Sequence, residues 1–154
     1  MKYEIVELEE KIIEGICIKT TNQNRKSVQD IANLWQKFFT EGAYNNIENK
    51  LNNKTIGLYT DYEGDYTASY SFIVCSEVKK KSKNLDNRVT KIIPKGKYAK
   101  FVLTGDVQKS VGEAWGKIWS MNLKRKYTYD FEEYQNNTED MQNQEIHIYI
   151  AIED

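Results

Sequence analysis

Apolar residues recur along this chain with two different periods. "GICIK", "IGLYT", "SYSFIVCSEV", "KYAKFVLT" and "IHIYIAI" have the density and alternation of strands. In the last of these, Ile146, Ile148, Ile150 and Ile152 fall on one face, and His147, Tyr149 and Ala151 on the other. Between these runs the spacing changes to three and four. Val28, Ile31, Leu34, Trp35 and Phe38 form one helical stripe, and Val111, Ala114, Trp115, Ile118 and Trp119 a second. The patterns predict strands near Gly15–Thr20, Thr55–Asp61, Ala68–Val78, Lys97–Thr104, Thr128–Tyr134 and Glu145–Ile152. Helices are predicted over 27–41 and 107–121, the first capped by Ser27.

The order of elements repeats. "EGICIKTTNQNRKSVQDIANLWQKFF" from Glu14 lies over "KGKYAKFVLTGDVQKSVGEAWGKIW" from Lys95, with Gly15 on Gly96 and Trp35 on Trp115. Each half reads strand, helix, strand, strand. The expected fold is α+β: duplicated βαββ units, about 1–80 and 90–154 of a single 1–154 domain. A pseudo-twofold axis would relate them, in an antiparallel sheet with two helices and a central cleft. The isoleucine face of the final strand should lie under a helix, which turns the His147/Tyr149 face toward the seam between the units. Two adjacent glutamates in "DFEEY", Glu132 and Glu133, must point to opposite faces, so one should share a face with Tyr149.

Composition narrows the function. Lys and Arg total 22 against 23 Asp and Glu, a balance that gives no reason to expect nucleic-acid or anionic-membrane binding. The basic run "KKKSK" at Lys79–Lys83 reads as a solvated loop within the link "KKKSKNLDNR". No run approaches the ~20 apolar residues that span a bilayer, and "MKYEIVELEE" lacks a signal peptide's apolar stretch, so a cytoplasmic location is expected. Cys17 and Cys75 sit in apolar runs and read as buried small hydrophobes. With one histidine and two scattered cysteines, neither a metal site nor a cofactor is expected. Eleven tyrosines and three tryptophans are the unusual feature, and "YTDYEGDYTASYSF" alone holds five aromatic rings. Tyrosine joins a flat apolar face to a hydroxyl, which suits a ligand pocket.

Several stretches taken in order resemble the GyrI-like family, the effector-binding domain of bacterial multidrug-responsive transcription activators. They are "IGLYTDYEGDYTASYSFIVCSEV", "IPKGKYAKFVLTGD", "WGKIW", "DFEEY" and "IHIYIAI", and they cover most of the chain after residue 55. The resemblance implies a duplicated βαββ fold around a hydrophobic cleft for planar, apolar and often cationic molecules. It also implies an acidic residue after the phenylalanine of "FE-x-Y", here Glu132, and a tyrosine in the last strand, here Tyr149. Glu133 is then the solvated or capping carboxylate. The expected ligand-lining set is Glu132, Tyr149, Tyr59, Tyr70, Phe72, Tyr98, Trp119 and Tyr134. The sequence departs from the family's pattern in the short, basic "MNLKRKYTY" and in Ala151, where proline is common. No DNA-reading helix-turn-helix is seen, so a stand-alone member is expected.

Three functions are then in play. The first is binding of a small lipophilic, planar or cationic molecule, without direct nucleic-acid or membrane contact. The second is hydrolysis of reactive small electrophiles, with Glu132 as general base and Tyr149 donating a hydrogen bond. The third is inhibition of DNA gyrase through a protein surface, for which "DYEGDY" at Asp61–Tyr66 is the candidate patch.

Overall fold

The computed structural model describes residues 1–135 and 144–154. Eight strands form one antiparallel sheet: β1 (Glu4–Leu8), β2 (Lys11–Thr21), β3 (Thr55–Thr60), β4 (Ser69–Val78), β5 (Val89–Ile93), β6 (Gly96–Gly105), β7 (Arg125–Tyr134) and β8 (Gln144–Ile152). The helices are α1 (Lys26–Thr40), the single-turn α2 (Ala43–Asn46) and α3 (Val107–Ser120).

The strand order β1-β6-β8-β7-β3-β4-β2-β5 is a palindrome of the two halves. β2-α1-β3-β4 maps onto β6-α3-β7-β8, and the pseudo-twofold axis passes between β3 and β7, which pair directly. The duplicated fold expected from the repeat is therefore present. Two strands were not expected. β1 and β5 each precede a unit and pair with the outer strand of the other unit, β1 with β6 and β5 with β2.

This exchange forces the sheet to curve. β1 and β2 are six places apart in the order, about 29 Å if the sheet were flat. Yet three residue steps join Leu8 to Lys11, a reach of about 11 Å at most. The link from Ile93 to Gly96 imposes the same limit on β5 and β6. The sheet must curl until its rims approach. One face then closes on itself around Ile13, Leu58, Ile73, Cys75, Phe131 and Tyr149. The other face carries α1 over Ile16, Phe72 and Val74, and α3 over the four isoleucines of β8.

Some local expectations fail. Ser27 does not cap α1; it is the second residue of the helix and is buried, whereas Val28 is 57% exposed. The stripe expected from the spacing otherwise holds: Leu34 and Phe38 are buried, Ile31 and Trp35 are partly buried against the same cluster, and Ser27 takes the place of Val28. The helix starts from two left-handed residues, Asn24 (φ 54°) and Arg25 (φ 57°), and has no side-chain cap. The lysines of "KKKSK" that were expected in solvent do lie there at 79–81, but Ser82 and Arg88 of the same link are buried. Both bind Glu14: Ser82 through its N–H (3.1 Å) and Oγ (2.9 Å), Arg88 through Nε (2.9 Å). Cys75 is buried as expected; Cys17 is exposed.

Candidate ligand-binding site

Glu132 lies in β7, level with Gly57 of β3 and Ile148 of β8. Cross-strand partners share a face, so its side chain rises on the helix-bearing side, between α1 and α3. Tyr59, two residues on from Gly57, and Tyr134, two on from Glu132, rise on the same side. The Tyr59 hydroxyl donates to Glu132 Oε2 at 2.8 Å, and the Tyr134 hydroxyl donates to Oε1 at 3.1 Å. From α3, the Trp115 indole N–H donates to Oε2 at 2.6 Å. Glu132 is 2% exposed.

Among the described residues, no cation reaches this carboxylate. The other buried acids among them each have one: Glu14 has Arg88, Asp130 has Arg125, and Glu133 has Lys54 at 3.9 Å. Glu132 has three neutral donors instead. Burial pushes its carboxyl above the usual range, and the bonds from Trp115, Tyr59 and Tyr134 only partly oppose that rise. The same burial, and the charge of Glu132, push the Tyr59 and Tyr134 hydroxyls well above theirs, which keeps both protonated as donors.

A second polar group lies on the same side. Asp130 accepts from Arg125 Nη2 (2.8 Å), the Tyr62 hydroxyl (2.6 Å) and the Ala151 backbone N–H (2.9 Å). Rings connect the two groups. Tyr59 lies 4.9 Å from Trp115 and 5.6 Å from Tyr70, which is 5.8 Å from Tyr62. Phe72 closes on Tyr59 at 4.8 Å. Each helix also leans on the other unit: Trp35 of α1 meets Tyr134 of β7, and Trp115 of α3 meets Tyr59 of β3, both at 4.9 Å. Near the C-terminal end of α3, Trp119 stacks on Tyr66 of the β3–β4 loop at 5.4 Å.

Of the expected lining residues, Glu132, Tyr59 and Tyr134 are bonded together, with Tyr70 and Phe72 beside them. Trp119 stands farther out, 37% exposed. Tyr149 and Tyr98 do not join them. Both lie on the enclosed opposite face around Phe131, Tyr149 at 4.7 Å and Tyr98 at 5.9 Å, and the Tyr98 hydroxyl donates to the Pro94 carbonyl. The cause is register. β7 pairs with β8 so that Phe131 faces Tyr149 and Glu132 faces Ile148. Alternation within each strand cannot reveal which residues lie opposite. Glu133, expected in solvent, is instead buried on Tyr149's side, because the curled sheet covers that face too.

Trp115, Tyr62, Asp130 and Arg125 were not expected at the site. Trp115 was read as core, and its indole N–H is what gives it a second role. Arg125 sits in the basic "MNLKRKYTY" noted as a departure from the family pattern, and that departure was the available signal. Among the described residues, no cluster of three or more His, Cys, Asp or Glu could hold a metal ion, and no helix is long and apolar enough to cross a membrane.

Comparison with known proteins bears on the family and the fold. The family described as Cass2, integron-associated effector binding protein, matches residues 4–152. An integron cassette protein from the mobile metagenome of Vibrio cholerae superposes with a TM-score of 0.79 at 29% identity, covering 98% of this chain and 95% of that one. The structure of SAV2435 bound to tetraphenylphosphonium has the same fold, with a TM-score of 0.79 at 22% identity over 99% of this chain and 94% of the other. In Bacillus subtilis (strain 168), the protein named "Putative transcriptional regulator protein YobU" is 27% identical over 159 residues, 96% of each chain.

Proposed function

The chain belongs to the Cass2 family of integron-associated effector binding proteins, and from that premise we propose that it binds small aromatic cations between α1 and α3, with Glu132 as the counter-ion. Glu132 carries this reading: a buried carboxylate held by neutral donors while the other buried acids of the described residues have cations. An uncompensated buried charge is costly, and a ligand cation is the partner that relieves the cost. The surrounding ring faces add cation–π attraction, about 0.5–2 kcal/mol for each well-placed ring. A relative of the same fold bound to tetraphenylphosphonium, a lipophilic aryl cation, supports this class of ligand.

The seam is packed with rings, so a ligand enters by displacing them. Tyr59, Tyr62 and Trp35 are partly exposed. Two isosteric probes test the proposal by calorimetric titration: the cation 1-benzylpyridinium and neutral diphenylmethane. The wild type is expected to prefer the cation. Glu132→Gln is expected to lose about five- to 150-fold for it, about 1–3 kcal/mol for a charge pair partly shielded from water, and to leave diphenylmethane unchanged. Equal affinity of both probes for wild type and variant would refute the counter-ion role.

A further inference from the structure

Arg125 is the group this reading leaves unexplained. Its side chain is 4% exposed, yet just one nitrogen, Nη2, has a partner, the Asp130 carboxylate at 2.8 Å. Nε and Nη1 are buried and make no hydrogen bond among the described residues. A guanidinium cannot shed its proton to escape that cost. Unsatisfied buried donors of a charged group are expensive, and a structure that keeps two of them points to a missing acceptor. The guanidinium carbon lies 4.2 Å from the Tyr127 ring centre and 6.0 Å from that of Trp115. Trp115 is also the ring that donates to Glu132. One indole therefore separates a carboxylate without a cation from a guanidinium without its full set of acceptors.

We propose that Arg125 is a ligand-binding residue, one of whose free N–H groups, on Nε or Nη1, donates to a carbonyl-type acceptor on the same aromatic cation that Glu132 neutralises. The inference rests on the proposed cation site and sharpens it. Its ligand is an aromatic cation that also bears a hydrogen-bond acceptor, not a purely hydrocarbon cation. Charge favours a neutral acceptor: Glu132 and Asp130 against Arg125 leave one negative charge, which a monocation balances. The donor lies in the plane of a rigid guanidinium set 4.2 Å from the Tyr127 ring centre, a placement that the flexible ammonium of lysine does not reproduce.

The test compares 1-benzylpyridinium with 1-benzylpyridinium-3-carboxamide, which adds a carbonyl acceptor and its NH2, and with the 3-acetyl analogue, which adds the carbonyl and no N–H donor and is expected to match the carboxamide. Wild type is expected to bind the carboxamide about tenfold more tightly, the worth of one hydrogen bond to a charged group. Arg125→Lys keeps a cation beside Asp130 and should bind all three probes equally. Should that variant fail to fold, Arg125→Met combined with Asp130→Asn removes the pair together and carries the same expectation. A merely structural role for Arg125 would change all the affinities by the same factor, so the ratio is the readout. An unchanged carboxamide preference in the variants, or none in the wild type, overturns the inference while the cation site stands. If none of the cations binds the wild type, or if Glu132→Gln binds them as well as wild type does, the cation site falls and this inference with it.

Discussion

Gly57 in β3 and Glu132 in β7 face each other across the axis that relates the two halves, and the missing side chain of the glycine makes room for the carboxylate. A Cβ at residue 57 would come within 3.2 Å of Glu132 Oε1 and 2.9 Å of Phe72 Cζ. Phe72 is fully buried and cannot retreat without disturbing the strand beneath α1. Gly57→Ala is therefore expected to cost about 1–3 kcal/mol, as overpacking of a dense core does. It should also weaken binding of an aromatic cation, because the carboxylate must shift. Urea denaturation and titration with 1-benzylpyridinium check the two effects. Full retention of both would mean that the strand yields without resistance there.

The charge state of Glu132 also affects the free protein. Its folded-state carboxyl binds its proton more tightly than an unfolded one does, because burial disfavours the anion. Stability is then greatest below the ordinary carboxylate range and declines as pH rises through the raised folded value. Glu132→Gln removes that decline. Without ligand, the variant is expected to be more stable than wild type at neutral pH, with the gap closing as pH falls. Urea midpoints at pH 7.5 and in mild acid give the comparison. A less stable variant at neutral pH would mean that the three donors outweigh desolvation.

Much of this was legible in the sequence because two signals were strong. The repeat around Trp35 and Trp115, with the change of spacing between three-to-four and two, gave the helices, six of the eight strands and the twofold relation. The exchanged edge strands β1 and β5 were hidden. "EIVEL" and "VTKII" are five residues long, and their partners lie about ninety residues away for β1 and about eighty for β5, in the opposite unit. At the candidate site, Glu132 was singled out by strand parity and the family resemblance and Tyr59 by the aromatic-rich stretch, and the two are hydrogen-bonded. Tyr149 was misplaced because alternation fixes faces within a strand, whereas which faces coincide depends on the register between strands. Arg125 was passed over because a lysine- and arginine-rich turn normally lies in water.

Tyr149 gives a direct check on that correction. It stacks on Phe131 in the enclosed face, and burial together with the charge of Glu133 lifts its hydroxyl to about 12. Tyr149→Phe keeps the stack and is expected to leave the affinity for 1-benzylpyridinium unchanged. Tyr59→Phe removes a donor to Glu132 and should alter it. A loss of binding confined to Tyr149→Phe would return that face to consideration.

Binding of a cation should depend on pH, and Trp115 sets where. A cation pairs with ionised Glu132, so at pH values below the folded carboxyl's raised midpoint each binding event must expel a proton. Affinity then rises with pH toward that midpoint and levels off above it. The Trp115 indole N–H, at 2.6 Å, is the shortest of the three bonds and the one that most opposes the rise caused by burial. Trp115→Phe keeps a ring beside Tyr59 but removes the donor. The carboxyl should then climb further, moving the affinity–pH curve to higher pH, with a stability loss at neutral pH of about 1.5–3 kcal/mol for a bond to a charged group. Glu132→Gln should give a flat profile over the same range, since neither 1-benzylpyridinium nor the amide titrates. Calorimetric titrations at half-unit pH steps on the three proteins measure this. A wild-type profile as flat as that of Glu132→Gln would show that the cation is neutralised elsewhere, and an unshifted midpoint in Trp115→Phe that the indole bond does not govern the carboxyl.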